Sequence, residues 1–164
     1  MRALWFLGNI ETTLLLHLYL KEVDEVVFLD HGGWPREVYD YLKEAQDFFG
    51  FTARVVDLEV EGWPERDDPC EYLRREVLIP HLKAGGFHLV YQPLRGSRPV
   101  EGAVEERFPL EGMDDYQLWS EIRRHSLPFC HLYLRGYRRV DCFPRRRREE
   151  REDFTEKLES MGYL

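Results

Sequence analysis

Short apolar runs alternate with helical segments four times along this sequence, and that alternation restricts the possible folds more than any other feature. The apolar runs read ALWFL at 3–7, EVVFLD at 25–30, TARVVDL at 52–58 and FHLVYQ at 87–92. Between them, apolar residues recur at helical spacing over 11–22, 35–49 and 69–84, the last interrupted near Pro80. The pattern predicts an α/β fold, in which a parallel sheet is flanked by helices.

The second half of the chain is less regular. Residues 93–112 lack periodicity and contain proline breaks, so we predict a long loop there. A helix is predicted over 114–125, and a strongly charged one over 145–160. We therefore divide the chain into an α/β domain at 1–144 and a charged C-terminal helix at 145–164 that packs on this domain or extends from it.

Length and charge exclude several classes of protein. With 164 residues, the chain has the length of one domain. Its net charge of −8 excludes a generally basic nucleic-acid-binding protein, although not a local basic patch. No apolar run reaches the roughly 18 residues of a membrane span, so no membrane partner is expected. Many arginines with few lysines and amides indicate a thermophilic source, or else a GC-rich genome.

Three cysteines, Cys70, Cys130 and Cys142, are widely spaced. An odd number at such spacing is not typical of a secreted disulfide framework, so a cytoplasmic location is expected. We expect these side chains to be small buried hydrophobes. The alternative is that Cys70 and Cys142 meet in space, together with Cys130 or His131.

The loop after the first apolar run is the first candidate for ligand binding. Ligands of parallel α/β sheets bind at the carboxyl ends of the strands. Gly8, Asn9, Thr12 and Thr13 have the glycine and polar groups of an anion-binding turn that opens a helix. The same residues also fit a simple helix cap, in which Asn9 or Thr12 accepts a backbone N–H.

Two further loops carry candidate site residues at the same edge of the sheet. Asp30 ends the second run and is followed by His31; this aspartate either binds a metal or a ribose hydroxyl, or bonds its own turn. After the fourth run come Arg95, Ser97 and Arg98. Their guanidinium groups would bind phosphate or sulfate, unless the loop is merely solvated.

Positive charge is concentrated between residues 135 and 148, which contain seven arginines and one aspartate. Such asymmetry predicts an anionic ligand or partner. We assign ligand binding to Arg138 and Arg139, and expect them to converge on one pocket with Arg95 and Arg98. The run 145–148 is expected to pair with the acids that follow it, on the outer face of the terminal helix.

Several segments together match the motifs of one family. They are Leu7–Thr12 after the first strand, D-H-G at 30–32, L-R-G-S-R at 94–98, and L-Y-L-R-G-Y-R-R at 132–139 with Cys142 three residues on. In these motifs the chain resembles the phosphoadenosine phosphosulfate (PAPS) reductase family, of the adenine nucleotide α-hydrolase-like superfamily. The resemblance covers about residues 3–144, and its last block is the most specific.

The resemblance implies a fold and a function. The fold is a parallel sheet of about five strands, and the ligand is an adenine nucleotide or a related phosphorylated or sulfated molecule. Tyr133, Gly136 and Tyr137 would close over the anionic end of this ligand, beside the two arginines. Any reaction would occur at the α-phosphate, by adenylyl transfer or hydrolysis, with Glu11 and Asp30 as catalytic acids that bind Mg²⁺.

Departures from the family motifs limit this function. Ile10 stands where the family has a lysine, and the family's tail cysteine has no counterpart, so PAPS reduction is not expected. Three cysteines cannot supply four thiolates, so no iron–sulfur cluster is expected. The alternative is a non-catalytic member that acts as an interaction or regulatory protein with a protein partner. A role in nucleic-acid sulfur modification is a third hypothesis, supported only by the basic patch.

Overall fold

Five parallel strands build the sheet of this protein. The structure, a computed structural model, describes residues 1–59, 68–140, 142 and 156–163. The strands are β1 (Arg2–Phe6), β2 (Glu25–Asp30), β3 (Arg54–Asp57), β4 (Leu89–Tyr91) and β5 (Glu105–Arg107). Their order in the sheet is β3-β2-β1-β4-β5, and every neighbouring pair is parallel. The predicted α/β fold with about five parallel strands is confirmed.

The apolar runs become the central strands because these strands are buried on both faces. Residues 3–6 of β1 are fully buried, and β1 lies between β2 and β4, with Leu4 opposite Val26 and Tyr91. A strand covered on both faces has no polar side to alternate with, so its sequence is continuously apolar. The edge strand β3 is shorter than the predicted 52–58 and mostly exposed.

The helices follow the predicted segments with small shifts at their ends. They are α1 (Ile10–Tyr19), α2 (Arg36–Phe49), α3 (Pro69–Tyr72), α4 (Ile79–Ala84) and α5 (Asp115–Arg124), with short 3-10 turns at Leu20–Glu22 and Tyr133–Arg135. Gly50 ends α2 in the left-handed conformation, as a C-terminal glycine does. No helix in the described part of the chain is long and apolar enough to cross a membrane.

The interruption predicted near Pro80 is a π-helical segment that precedes it. Residues Leu73–Leu78 form this segment between α3 and α4, and Pro80 lies in the first turn of α4. A proline at this position costs the helix no hydrogen bond, because the first N–H groups of a helix have no partner within it. The π-helical segment includes Arg74, whose side chain is completely buried.

The prediction of an uninterrupted loop over 93–112 is wrong, because β5 lies within it. This strand has the sequence Glu-Glu-Arg, and its inward-facing residue is Glu106. Both carboxylate oxygens of Glu106 accept hydrogen bonds from Nη1 of Arg74, at 2.7 and 2.9 Å. Gln92 and the backbone N–H of Val100 also donate to Glu106. The sequence does not indicate this strand, because its inward-facing residue is charged and not apolar.

Two of the three cysteines are not isolated hydrophobes, which corrects the expectation from the sequence. Cys70 and Cys142 form a disulfide, with Cα atoms 5.2 Å apart. The alternative that these two residues meet in space is therefore what the structure shows. Cys130 alone is a free, buried thiol, and burial raises its pKa to about 12.

The described end of the chain packs on α5. Residues 156–160 are helical, Leu158 is fully buried, and the hydroxyl of Tyr163 donates to the carbonyl oxygen of Trp119 at 3.0 Å. The arginine run at 145–148, and its predicted pairing with acids, lie outside the described residues.

The buried Arg74–Glu106 pair gives the first testable prediction. Glu106→Ala should lower the free energy of unfolding by about 3–5 kcal/mol, because it leaves a guanidinium buried without its main counter-charge. The measurement is urea unfolding followed by circular dichroism. The control is Glu105→Ala on the same strand, whose carboxylate is 59% exposed and should matter by less than about 0.5 kcal/mol. Equal losses in the two variants would contradict the prediction.

Candidate functional site

The cleft of interest lies where the order of strands reverses. The chain runs outward from β1 through β2 to β3, then returns to place β4 on the other side of β1. Loops that follow β1 and β4 therefore diverge and leave a crevice between them, the usual ligand position in open parallel sheets. A cleft of about 340 Å³ occupies this position. It is lined by residues 9–11 after β1, residues 93–96 after β4, Asp115, Tyr133 and residues 138–140.

The loop after β1 begins with a glycine that the packing requires. Gly8 has a φ of +84°, and a Cβ atom there would lie 3.2 Å from a methyl group of Val38. Any larger residue would therefore be both strained and crowded. Asn9 then caps α1, since its Oδ1 accepts the backbone N–H of Thr12 at 2.9 Å. Its Nδ2 donates to the carbonyl oxygen of Pro93 at 2.9 Å, which joins the loops after β1 and β4.

Several polar groups that could bind an anion in this turn are bonded within the protein. The N–H of Leu7 donates to the Thr12 hydroxyl, and the N–H of Ile10 donates to the Tyr133 hydroxyl at 2.9 Å. Thr12 and Thr13 are fully buried, and the Thr13 hydroxyl bonds that of Tyr41. Of the two interpretations of this loop, the structure therefore shows the helix cap.

Arg95 is the centre of an ion-pair network on the other side of the cleft. Its Nη2 lies 2.9 Å from Oε1 of Glu11 and 2.7 Å from Oδ1 of Asp115. Its Nη1 donates to the carbonyl oxygen of Met113 at 2.8 Å. The second oxygen of Asp115 accepts from Nε of Arg138 at 3.2 Å. Asp115 thus lies between Arg95 and Arg138 and offsets the repulsion between their guanidinium groups.

The pKa values of the two carboxylates in this network, Glu11 and Asp115, shift in opposite directions. Burial raises the pKa of Glu11 above its ordinary value, although the charge of Arg95 opposes the rise. Burial would also raise the pKa of Asp115, but hydrogen bonds and charges from Arg95 and Arg138 outweigh it and lower that pKa. Asp115 is therefore the firmer counter-charge of the arginines.

The predicted convergence of four arginines is found for three of them. Arg95, Arg138 and Arg139 line the cleft, whereas Arg98 is exposed and does not line it. The loop after β4 turns between the two: the Ser97 hydroxyl donates to Glu71 at the start of the helical segment, at 2.9 Å. Arg98 follows Ser97 and continues outward into solvent.

Asp30 and His31 take part in local structure beside the cleft. Oδ1 of Asp30 accepts the N–H of Gly32 at 2.8 Å and the Tyr39 hydroxyl at 2.7 Å, as in the turn interpretation. His31 Nδ1 accepts the N–H of Gly33, and Nε2 lies 3.0 Å from the carbonyl oxygen of Cys142. Neither residue lines the cleft.

These contacts also test the predicted magnesium site. Glu11 is paired with Arg95, and Asp30 is bonded to its own turn and to Tyr39. No group of three or more potential metal ligands occurs among the described residues. The donor set does not fit a divalent cation, which needs several free oxygen ligands.

The sequence matches no protein-family model. A curated relative, adenosine 5'-phosphosulfate reductase of Staphylococcus haemolyticus, is 23% identical over 148 residues. The match covers 76% of this chain and 61% of that protein, so the chain spans about three fifths of its relative's length.

Solved structures are similar over most of the chain. PAPS reductase from Candida auris, in a phosphate complex, has a TM-score of 0.64 and 17% identity, covering 85% of this chain and 79% of that one. FMN adenylyltransferase of Candida glabrata, in complex with ATP, has a TM-score of 0.61 and 15% identity, covering 94% and 62%. The chain has the PAPS reductase fold. The resemblance found in the sequence is confirmed, and the fold is of the adenine nucleotide α-hydrolase-like kind.

Within this PAPS reductase-like fold, the block 132–139 divides into two parts. Tyr133 is buried and reaches the start of α1, while Gly136 ends the short 3-10 turn in the left-handed conformation. Tyr137 is partly buried. Beyond this turn the chain enters the cleft, where Arg138 and Arg139 are exposed. Tyr133 and Gly136 are therefore buried parts of this block, and Arg138 and Arg139 are its exposed side chains in the cleft.

Asp115 is the cleft residue that sequence reasoning missed. Its position in the acidic first turn of α5 indicated only a favourable interaction with the helix dipole. The signal that could have found it is the doublet Asp114-Asp115, in which a single acid suffices for capping. Asp114 makes the cap with Gln117, which leaves Asp115 for the arginines.

The lowered pKa of Asp115 gives a prediction about pH. The folded state lowers the pKa of this carboxylate below its ordinary value of 3.8. The stability that the carboxylate contributes is therefore fully present at a pH above 3.8. It is lost as the pH falls through the folded pKa. Asp115→Asn should therefore lower the free energy of unfolding by about 2 kcal/mol at pH 7, with the difference vanishing towards pH 2.

Urea unfolding of both proteins between pH 2 and pH 7 measures this difference. Asp114→Asn is the matched control, since an asparagine also caps a helix and Asp114 makes no ion pair with a described residue. A gap between wild type and Asp115→Asn that stays constant across the range would contradict the assignment.

Proposed function

We propose that this protein binds the anionic end of an adenine nucleotide, a phosphate or a sulfate, in the cleft between β1 and β4, without a metal ion. The observation that carries the proposal is the position of Arg95, Arg138 and Arg139 around one cleft at the reversal of strand order. Guanidinium groups are suited to phosphate and sulfate because they donate two parallel hydrogen bonds.

The balance of charge in the cleft supports an anion. Three arginines face two carboxylates, Glu11 and Asp115, which leaves one positive charge. Asp115 partly neutralises Arg138, whereas Arg139 has no ion pair with a described residue. Arg139 is thus the cation that a bound anion would neutralise. A cleft of about 340 Å³ is within the usual size of small-molecule sites, about 300–1,000 Å³.

Support for an adenine nucleotide comes from the solved neighbours. One is a PAPS reductase in complex with phosphate, and another is an FMN adenylyltransferase in complex with ATP. Both have the fold of this chain. The ligand is proposed as a monophosphate or a sulfated monophosphate, because Ile10 and the paired carboxylates offer nothing for a longer phosphate chain or for its magnesium ion.

The contacts in the cleft favour a protein that binds the nucleotide without catalysing a reaction on it. Adenylyl transfer or hydrolysis at the α-phosphate needs groups that stabilise charge on that phosphate as it reacts. Glu11 and Asp30 are engaged elsewhere. Reduction of a sulfonate needs a thiolate, but Cys130 is buried with a pKa of about 12, and Cys70 and Cys142 are joined. We therefore do not propose PAPS reductase activity.

The test is calorimetry with AMP, ATP and adenosine 3',5'-bisphosphate, with and without Mg²⁺. AMP should bind at least as tightly as ATP, and Mg²⁺ should make no difference to AMP. Arg139→Ala should weaken AMP binding tenfold or more, about 1.4 kcal/mol, because it removes a charge that no carboxylate among the described residues neutralises.

Arg124→Ala is the matched control, because this arginine is 74% exposed at the far end of α5. The affinity of the Arg124→Ala variant for AMP should equal that of wild type. Equal weakening in Arg139→Ala and Arg124→Ala would indicate nonspecific attraction and contradict the assignment of the cleft. Absence of binding by all three nucleotides would favour the alternative, an interaction or regulatory protein that keeps the fold.

A further inference from the structure

The disulfide lies directly beside the arginines of the cleft. Cys142 follows Arg139 by three residues, and Cys70 is in the first turn of α3. Besides the covalent bond, the N–H of Cys142 donates to the sulfur of Cys70 at 3.1 Å. The segment that carries Arg138 and Arg139 is therefore attached to the start of α3 at its downstream end.

Few other contacts hold this segment. Among the described residues, no backbone-to-backbone hydrogen bond involves 138–140 or 142. Nε of Arg138 reaches Asp115 at 3.2 Å, but the arginine side chain is 50% exposed. His31 bonds the carbonyl oxygen of Cys142, and Val140 is buried. The disulfide is the strongest of these attachments, and the only covalent one.

The start of α3 also holds the opposite wall of the cleft. Glu71, the residue after Cys70, accepts the hydroxyl of Ser97 at 2.9 Å and pairs with Arg74 at 2.6 Å. Ser97 belongs to the loop that positions Arg95. Both arginine-bearing segments are thus fixed to one short helix, one by a hydrogen bond and the other by the disulfide.

We propose that the Cys70–Cys142 disulfide is a redox switch for anion binding in the cleft. In the oxidised protein it holds Arg138 and Arg139 beside Arg95, and the anion binds. In the reduced protein that attachment is lost, and the arginines no longer meet the anion in fixed positions. This inference rests on the proposed function, because the switch acts on the same cleft.

The reaction is an ordinary thiol–disulfide exchange with a dithiol. A thiolate of the reductant attacks the sulfur of Cys70, which is partly exposed, whereas Cys142 is fully buried. The Cys70–Cys142 bond breaks, and Cys142 leaves as a thiolate that takes up a proton. The second thiol of the reductant then attacks the mixed disulfide and releases Cys70. The protein disulfide gains two electrons, and the dithiol becomes a disulfide.

The experiment compares AMP binding by the oxidised chain and by the chain reduced with dithiothreitol. Thiol titration in denaturant verifies each state, with one thiol expected before reduction and three after it. The oxidised chain should bind AMP at least fivefold more tightly. Cys70→Ser/Cys142→Ser should bind as the reduced wild type does and should not respond to dithiothreitol. Cys130→Ala, which removes the one cysteine outside the disulfide, should respond as wild type does.

A second measurement is independent of any nucleotide. Limited trypsin digestion, with cleavage sites identified by mass spectrometry, should cut after Arg138 and Arg139 at least fivefold faster in the reduced chain, at a temperature where circular dichroism shows both states folded. Equal cleavage and equal AMP affinity in the two states would overturn the switch and leave the proposed function standing.

The remaining outcomes are also decisive. AMP binding in neither state, with cleavage that still depends on reduction, would reject the nucleotide function and the control of anion binding, and would leave only a redox-dependent conformation. Three titratable thiols in the unreduced chain would overturn the proposal. So would unfolding of both the reduced chain and the double serine variant, because the disulfide would then be required for folding.

Discussion

Asn9 makes the interaction on which the geometry of the cleft depends. Its side-chain oxygen, Oδ1, caps α1, and its side-chain Nδ2 donates to the carbonyl oxygen of Pro93. A single side chain therefore starts the helix and joins the loops after β1 and β4. The order of strands makes those loops diverge, and a parallel sheet offers no backbone bonds across the gap. Asn9 bridges it. Aspartate and serine also cap helices, but neither has a side-chain amide group that could donate to the carbonyl of Pro93 at the same time.

Charge in the cleft is arranged so that Arg95 keeps its position before a ligand arrives. Arg95 is bonded on three sides, by Glu11, Asp115 and the Met113 carbonyl. An anion would meet a guanidinium that is already oriented, and by pairing with Arg139, which has no ion pair with a described residue, it would leave this network in place. The carboxylates of the cleft are engaged in orienting arginines, which is why we propose an anion as its ligand rather than magnesium.

The sequence allowed the sheet and its order of elements to be predicted, because β1, β2 and β4 are continuous apolar runs that only burial on both faces explains. It could not reveal β5, whose inward residue is Glu106, because the partner of that charge, Arg74, lies 32 positions away. Arg138 and Arg139 could be found from the block at 132–139, and Arg95 from the loop after the fourth apolar run. The partners of Asp115 could not be predicted, and the pairing of Cys70 with Cys142 stood only as an alternative, since each depends on a contact between distant segments that no local pattern encodes.

These long-range contacts converge on the short helix α3 and the π-helical segment after it. Within a few residues of each other, Cys70 binds Cys142, Glu71 bonds Ser97, and Arg74 pairs with Glu106 of β5. The buried guanidinium of Arg74 is costly to desolvate, so its position is set by Glu106 and Glu71 rather than by apolar packing. Because such contacts are directional, they fix the start of this helix more tightly than hydrophobic burial would. A rigid attachment point for both arginine-bearing segments is the consequence, and it explains why a charged residue occurs in the core here.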